Sequence, residues 1–97
     1  MLLNASMHAS DDEKFLRRVC NERGLYDTPR LNNVIFLNDC GLLRVPCLVS
    51  YASLRSVHLN GNRLSHIPDL HKLAHLQSLY LQVRYDSIFY FLNIRTI

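Results

Sequence analysis

Residues 54–73, LRSVHLNGNRLSHIPDLHKL, decide how this chain folds. Leu54, Val57, Leu59, Asn62 and Leu64 fill the pattern L-x-x-L-x-L-x-x-N-x-L, with valine in place of one leucine. The alternation Val57-His58-Leu59 predicts a short strand that points Val57 and Leu59 inward and His58 to the opposite face. Asn62 stands where the chain must bend. Its amide both donates and accepts hydrogen bonds, so it can satisfy backbone groups that the bend leaves unpaired. Leu64, Ile67, Leu70 and Leu73 carry the apolar set along the return.

The same pattern recurs upstream at a fixed offset. Val57 falls on Ile35, Leu59 on Leu37, Asn62 on Cys40, Leu64 on Leu42, Ile67 on Val45, Pro68 on Pro46 and Leu70 on Leu48. Shifted forward by the same offset, Leu54 falls on Leu76, Val57 on Leu79 and Leu59 on Leu81; the match then stops, because Asn62 meets Arg84 and Leu64 meets Asp86. One unit of this kind cannot bury its own apolar face, so neighbours must stack on it. The fold class that follows is α/β: a short leucine-rich-repeat solenoid of 22-residue repeats, two complete and one half, over residues 34–82.

Upstream, residues 1–10 carry no period and read as a flexible N-terminus. Ser10 followed by Asp11, Asp12 and Glu13 is a capping-box pattern that predicts a helix over residues 11–23. Phe15, Leu16, Val19 and Cys20 form its apolar stripe, while Lys14, Arg17, Arg18 and Glu22 point away. Gly24 ends it. This helix is placed to cover the open N-terminal end of the repeats. A connector follows up to residue 33. Pro29 bars a helix there, and Leu25, Tyr26 and Leu31 are expected to tuck under the first strand. Cys40 replaces the turn asparagine with a small thiol that tolerates burial. Leu48, Tyr51 and Leu54, and again Leu70, Leu73 and Leu76, recur every three residues. That period predicts a short helix or 3₁₀ turn on the convex side, opened by Pro46 and Pro68.

Beyond Leu81 the pattern changes. Residues 83–97 form an atypical tail without a turn asparagine and with an apolar run from Ile88 to Leu92. Two readings stand side by side. One is an extra strand or helix laid over the open end. The other is a tail that replaces further repeats, through truncation or alternative splicing, since a solenoid needs about three or more repeats and a cap.

Length and composition narrow the function. The 97 residues suffice for one small domain, and a hydrophobic fraction of 48% argues against disorder throughout. No apolar run approaches the roughly 20 residues of a membrane span. The first ten residues lack a secretory pattern. Three widely spaced cysteines point to a reducing compartment, most simply the cytoplasm. The net charge of +3 is scattered along the chain, which argues against nucleic acid as a partner.

The candidate site follows from strand geometry. Side chains that do not enter the core face the concave side: Val34, Phe36 and Asn38 on the first strand; Ser56, His58 and Asn60 on the second; Ser78, Tyr80 and Gln82 on the third. Adjacent strands lie about 4.8 Å apart, so Phe36, His58 and Tyr80 should stack as a ladder of rings. Exposed aromatic residues on a rigid face serve as anchors for a protein partner, or merely pack on one another and stabilise the sheet. Other chemistry is weakly supported. His71 and His75 are spaced for one helix face, but no cysteine pair completes a zinc set, so they read as solvated. Cys20, Cys40 and Cys47 read as buried thiols rather than nucleophiles. Asp11, Asp12 and Glu13 are better explained by capping than by catalysis. Lys14, Arg17, Arg18 and Arg23 read as a solvated basic face. No nucleophile elbow or phosphate loop is found, and neither cofactor nor metal is implied.

The N-terminal half carries a more specific likeness. Residues 15–42, FLRRVCNERGLYDTPRLNNVIFLNDCGL, followed by SLRSVHLNGNRL and HLQSLYLQ, resemble the start of the dynein axonemal assembly factor 1 family. That family opens with a short helix, a Leu-Tyr-x-Thr-Pro-x-Leu-Asn connector and then repeats; here Leu25, Tyr26, Thr28, Pro29, Leu31 and Asn32 supply the connector. The resemblance covers residues 15–82. It implies a non-catalytic protein that binds other proteins, dynein-arm components or chaperones, during cytoplasmic preassembly of axonemal dynein arms in ciliated cells. Two other uses of such repeats stay open: a regulatory subunit of a protein phosphatase, and an RNA–protein assembly factor.

Overall fold

The computed structural model describes residues 5–66, 68–82 and 89–93. Helix α1 spans Ala5–Glu22. Nothing in ASMHAS breaks a helix, so α1 begins ahead of Ser10, which lies inside it rather than at its N-cap as the capping box predicts. The end is as the glycine predicts. Gly24 adopts a positive φ of 76°, Leu25 N–H donates to the Cys20 carbonyl (2.8 Å) and Gly24 N–H to that of Asn21 (3.4 Å), which is a Schellman arrangement. Leu16, Val19 and Cys20 are buried, and Phe15 packs against the core beside them.

Three short strands follow: β1 (Val34–Phe36), β2 (Ser56–Leu59) and β3 (Ser78–Gln82). They pair in parallel. Val34 lies opposite Ser56 and Ser56 opposite Ser78, so each step along the sheet equals the period of the sequence. The bonds entering the strands repeat with the same step. The Asn33 carbonyl accepts from Arg55 N–H and Ser56 N–H, and the Arg55 carbonyl accepts from Gln77 N–H and Ser78 N–H. Ile35 and Leu37, Val57 and Leu59, and Leu79 and Leu81 are all buried, as the alternation predicts.

The returns keep the period of three without becoming helical. Leu48–Tyr51 and Tyr51–Leu54 are successive turns closed by N–H···O bonds of 2.9 and 3.2 Å; Leu70–Leu73 and Leu73–Leu76 repeat them at 3.0 and 3.1 Å. Each apolar residue closes one turn and opens the next, so the side chains that recur every three residues all enter the core. Of the expected short helix or 3₁₀ turn, the helix does not form; the returns are successive single turns with the three-residue bonding of a 3₁₀ turn. A 3₁₀ turn does occur at Pro29–Leu31 in the connector. Ile67 lies outside the described residues.

The connector differs from expectation in what it buries. Tyr26 and Leu31 are exposed, at 62% and 52%. Asn32 takes the interior place instead. Its amide accepts from Tyr26 N–H (3.0 Å) and donates to the Tyr26 carbonyl (2.9 Å), and of the three expected apolar residues only Leu25 packs against the core.

Strand β4, Phe89–Asn93, pairs antiparallel with β3 and closes the sheet in the order β1-β2-β3-β4. An extra strand beside β3 is what the first reading of the tail expects, and it is compatible with the second. Residues 83–88 and 94–97 lie outside the described residues. Among the described residues no helix is long and apolar enough to cross a membrane.

The helix is fastened to the first return by Asp12. This carboxylate is buried and accepts from the Arg44 guanidinium at 3.0 and 3.2 Å and from Cys47 N–H at 2.7 Å. Glu13 accepts from the Ser50 hydroxyl at 2.8 Å. Both acids therefore tie two segments together rather than capping α1. Asp12→Ala is expected to cost about 1–3 kcal/mol, because Cys47 N–H loses its acceptor and Arg44, itself largely exposed, adds only modestly. Urea unfolding measures this. A midpoint equal to that of the native chain would show that α1 is held by its apolar stripe alone.

Candidate protein-binding face

The face of the sheet away from the core carries the predicted set. Val34, Phe36, Asn38, Ser56, His58, Asn60, Ser78 and Tyr80 are all half-buried, between the fully buried positions. The Gln82 backbone ends β3, and its side chain lies outside the described residues. The rings form the expected row. The Phe36 and His58 centroids are 4.9 Å apart with planes tilted by 47°, and those of His58 and Tyr80 are 4.2 Å apart and nearly parallel at 11°. Beside the row, Ser56 Oγ lies 3.4 Å from His58 Nε2. In the register, Phe91 of β4 pairs with Tyr80.

Desolvation in this row holds the His58 imidazole below the usual value of 6.5. The native state therefore keeps the ring neutral while the unfolded chain takes up the proton first. Stability is full above about pH 6.5 and falls as the pH drops from there through the lowered native value. The melting temperature is expected to fall more steeply below that pH for the native chain than for His58→Phe. Parallel pH profiles would mean that the stacked ring titrates freely.

Two groups brace the row from below. Asn62 is buried, and its amide makes four bonds: Nδ2–H donates to the Leu37 and Leu59 carbonyls (both 2.8 Å), and Oδ1 accepts from Cys40 N–H and Leu42 N–H (both 3.0 Å). The predicted turn role is met, and three of the four partners belong to the preceding turn. At the equivalent position Cys40 makes only long contacts, donating to the Asn38 carbonyl at 3.5 Å. Arg23, at the end of α1, serves the outer edge of β1 instead. Its guanidinium donates to the carbonyls of Phe36 (3.0 Å) and Asn38 (2.8 Å), to Asn38 Oδ1 (3.1 Å) and to Cys40 Sγ (3.5 Å). Arg23 is exposed like Lys14, Arg17 and Arg18, the rest of the expected basic face, but it is tied to β1 by these bonds.

The remaining candidates separate. Cys20 is buried and its thiol is pushed up by desolvation, so it stays protonated. Cys40 is half-buried, and Cys47 is exposed rather than buried, because its backbone, not its side chain, is held by Asp12. His71 lies among turns rather than on a helix and bonds Asp69 Oδ1 at 2.6 Å. Among the described residues, no three His, Cys, Asp or Glu side chains converge as metal ligands.

The chain resembles leucine-rich-repeat proteins of axonemal dynein assembly. It is 37% identical over 68 residues to the leucine-rich repeat-containing protein ODA7 of Chlamydomonas reinhardtii, covering 70% of this chain and 16% of that protein. It is 43% identical over 53 residues to the dynein axonemal assembly factor 1 homolog of Drosophila pseudoobscura pseudoobscura, covering 55% of this chain and 3% of that protein. The chain thus spans only a small part of either relative. No family model matches it, and no solved structure does.

Proposed function

We propose that the chain is a non-catalytic protein-interaction module in the assembly of axonemal dynein arms, acting in the cytoplasm of ciliated cells. In this reading the architecture is a leucine-rich-repeat solenoid with 22-residue repeats over residues 34–82. Residues 11–33 serve as cap and connector, and residues 83–97 as the atypical C-terminal tail. The observation that carries it is the coincidence of two independent facts. The chain matches proteins named for leucine-rich repeats and dynein assembly, and its parallel strands recur at the period of the sequence, exposing one row of rings. The nine residues Val34, Phe36, Asn38, Ser56, His58, Asn60, Ser78, Tyr80 and Gln82 form the partner surface, with Phe36 and Tyr80 as its anchors. An aromatic anchor of this kind is commonly worth about 2 kcal/mol or more of binding energy.

The test is affinity capture from ciliated cells with the native chain and with Phe36→Ala/Tyr80→Ala, both shown to be folded. Dynein-arm components or chaperones recovered with the native chain and lost with the variant support the reading. Recovery of a phosphatase, or of RNA-bound particles, would replace it.

A further inference from the structure

The partner surface is uncharged in a chain that is not. The sequence carries eleven Lys or Arg and eight Asp or Glu, yet none occupies the nine partner-face positions. Lys14, Arg17, Arg18, Arg30, Arg55, Arg63 and Lys72 are all exposed elsewhere. Arg23 stands at the β1 rim, and its guanidinium is engaged by the carbonyls of Phe36 and Asn38.

The pattern is also ordered in rows across the strands. Val34, Ser56 and Ser78 are in register, then Phe36, His58 and Tyr80, and the strands end toward Asn38, Asn60 and Gln82. A central row of rings is therefore flanked by Val34, Ser56 and Ser78 on one side and by the amides of Asn38 and Asn60 on the other. A charged group pressed onto the rings would lose its water, and the nearest charged side chains, Arg23 and Asp39, bond Asn38 at the β1 rim rather than the rings. An apolar side chain there loses nothing and gains area against three rings.

Resting on the protein-interaction reading above, we infer that the occupant is a short polypeptide stripe of uncharged aromatic and aliphatic side chains, laid across the strands along the Phe36–His58–Tyr80 row. Adjacent centroids in that row lie 4.9 and 4.2 Å apart, a span that about three residues of extended chain would cover. The Ser78 hydroxyl and the Asn60 amide are placed to meet the backbone of such a segment, while Asn38 is engaged by Arg23 and Asp39 and Ser56 by His58. Acidic and basic motifs, and nucleic acid with its phosphates, do not fit over the rings.

A phage-displayed random peptide library, selected on the immobilised full chain, tests this. Recovered peptides should be rich in aromatic and aliphatic residues, with no enrichment of Asp, Glu, Lys or Arg. Their affinity should change less than about twofold over a tenfold range of salt. Two charge-adding variants that keep the rings, Ser78→Lys and Ser78→Glu, should both weaken binding by about tenfold or more. Opposite effects of the two signs, or selection of charged peptides, would overturn the inference while leaving the partner face in place. Uncharged peptides that bind Phe36→Ala/Tyr80→Ala as well as the native chain would show instead that the face itself is misassigned. Recovery of no peptide, or tighter binding of a uridine dodecamer than of any peptide, would also overturn it.

Discussion

Asn62→Ala is expected to be the most damaging single truncation in the turns, costing about 3–4 kcal/mol. Four backbone groups depend on this side chain, and two of its bonds, to the Leu37 and Leu59 carbonyls, are buried. Alanine leaves them unpaired, and water cannot reach the buried two without opening the core. A single lost partner typically costs about 1–3 kcal/mol, and four that relax together do not add fully. Asn62→Asp separates donor from acceptor. A carboxylate still accepts from Cys40 N–H and Leu42 N–H, but it faces the two carbonyls with negative charge, so it should be no better than alanine at neutral pH. Cys40→Ala is the comparison at the equivalent position. It removes only contacts of about sulfur length, and it should cost less than about 1 kcal/mol. Urea midpoints of the three variants decide the matter. Equal losses at positions 40 and 62 would mean that the turn is held by its apolar neighbours rather than by the asparagine amide.

That contrast also shows which parts of the molecule the sequence makes legible. Strand alternation, the repeat period and the asparagine turn are local or periodic, so Val57, Leu59 and Asn62 announce their places, and Phe36, His58 and Tyr80 follow by counting. The partners of Asp12 and Arg23 are different. Asp12 bonds groups 32 and 35 positions away, and Arg23 bonds carbonyls 13 and 15 positions away. Those distances are set by how α1 lies on the sheet, which no period encodes. Asp12 is instructive because it sits one turn before Leu16, on the stripe that packs inward. The acidic run Asp11-Asp12-Glu13 matches a capping pattern so closely that it masks the direction of Asp12. Arg23 is readable in principle. β1 is the edge strand of the sheet, so its outer carbonyls need a donor from elsewhere, and the helix end is the nearest source. For the tail, the residues FYFLN favour a strand by composition, but its antiparallel direction depends on residues 83–88, which lie outside those described.

Gly61→Ala is the second large effect expected, and its rescue is more informative than its cost. Gly61 has φ of 75°, and Asp39, its equivalent one repeat earlier, has φ of 57°. The two turns therefore share a left-handed residue, glycine in one and aspartate in the other, and they stack. A Cβ on residue 61 would run into Asp39 Oδ1 and approach the Asp39 backbone nitrogen to 3.3 Å. The aspartate side chain could swing aside, but it accepts from Asn38 Nδ2 at 3.2 Å and would lose that bond. Left-handed backbone adds about 1–2 kcal/mol for alanine, so a total near 2–4 kcal/mol is expected. Asp39→Gly alone should be neutral or stabilising by up to about 1 kcal/mol, because glycine accepts the left-handed conformation without strain. The double variant Asp39→Gly/Gly61→Ala should then recover about 1 kcal/mol or more relative to the sum of the singles, since the clash has lost its main partner. Strict additivity in this cycle would assign the whole cost to the backbone of residue 61 and deny that stacked turns set each other's composition. A recovered coupling would mean that glycine at residue 61 is demanded by the turn beneath it as much as by its own φ.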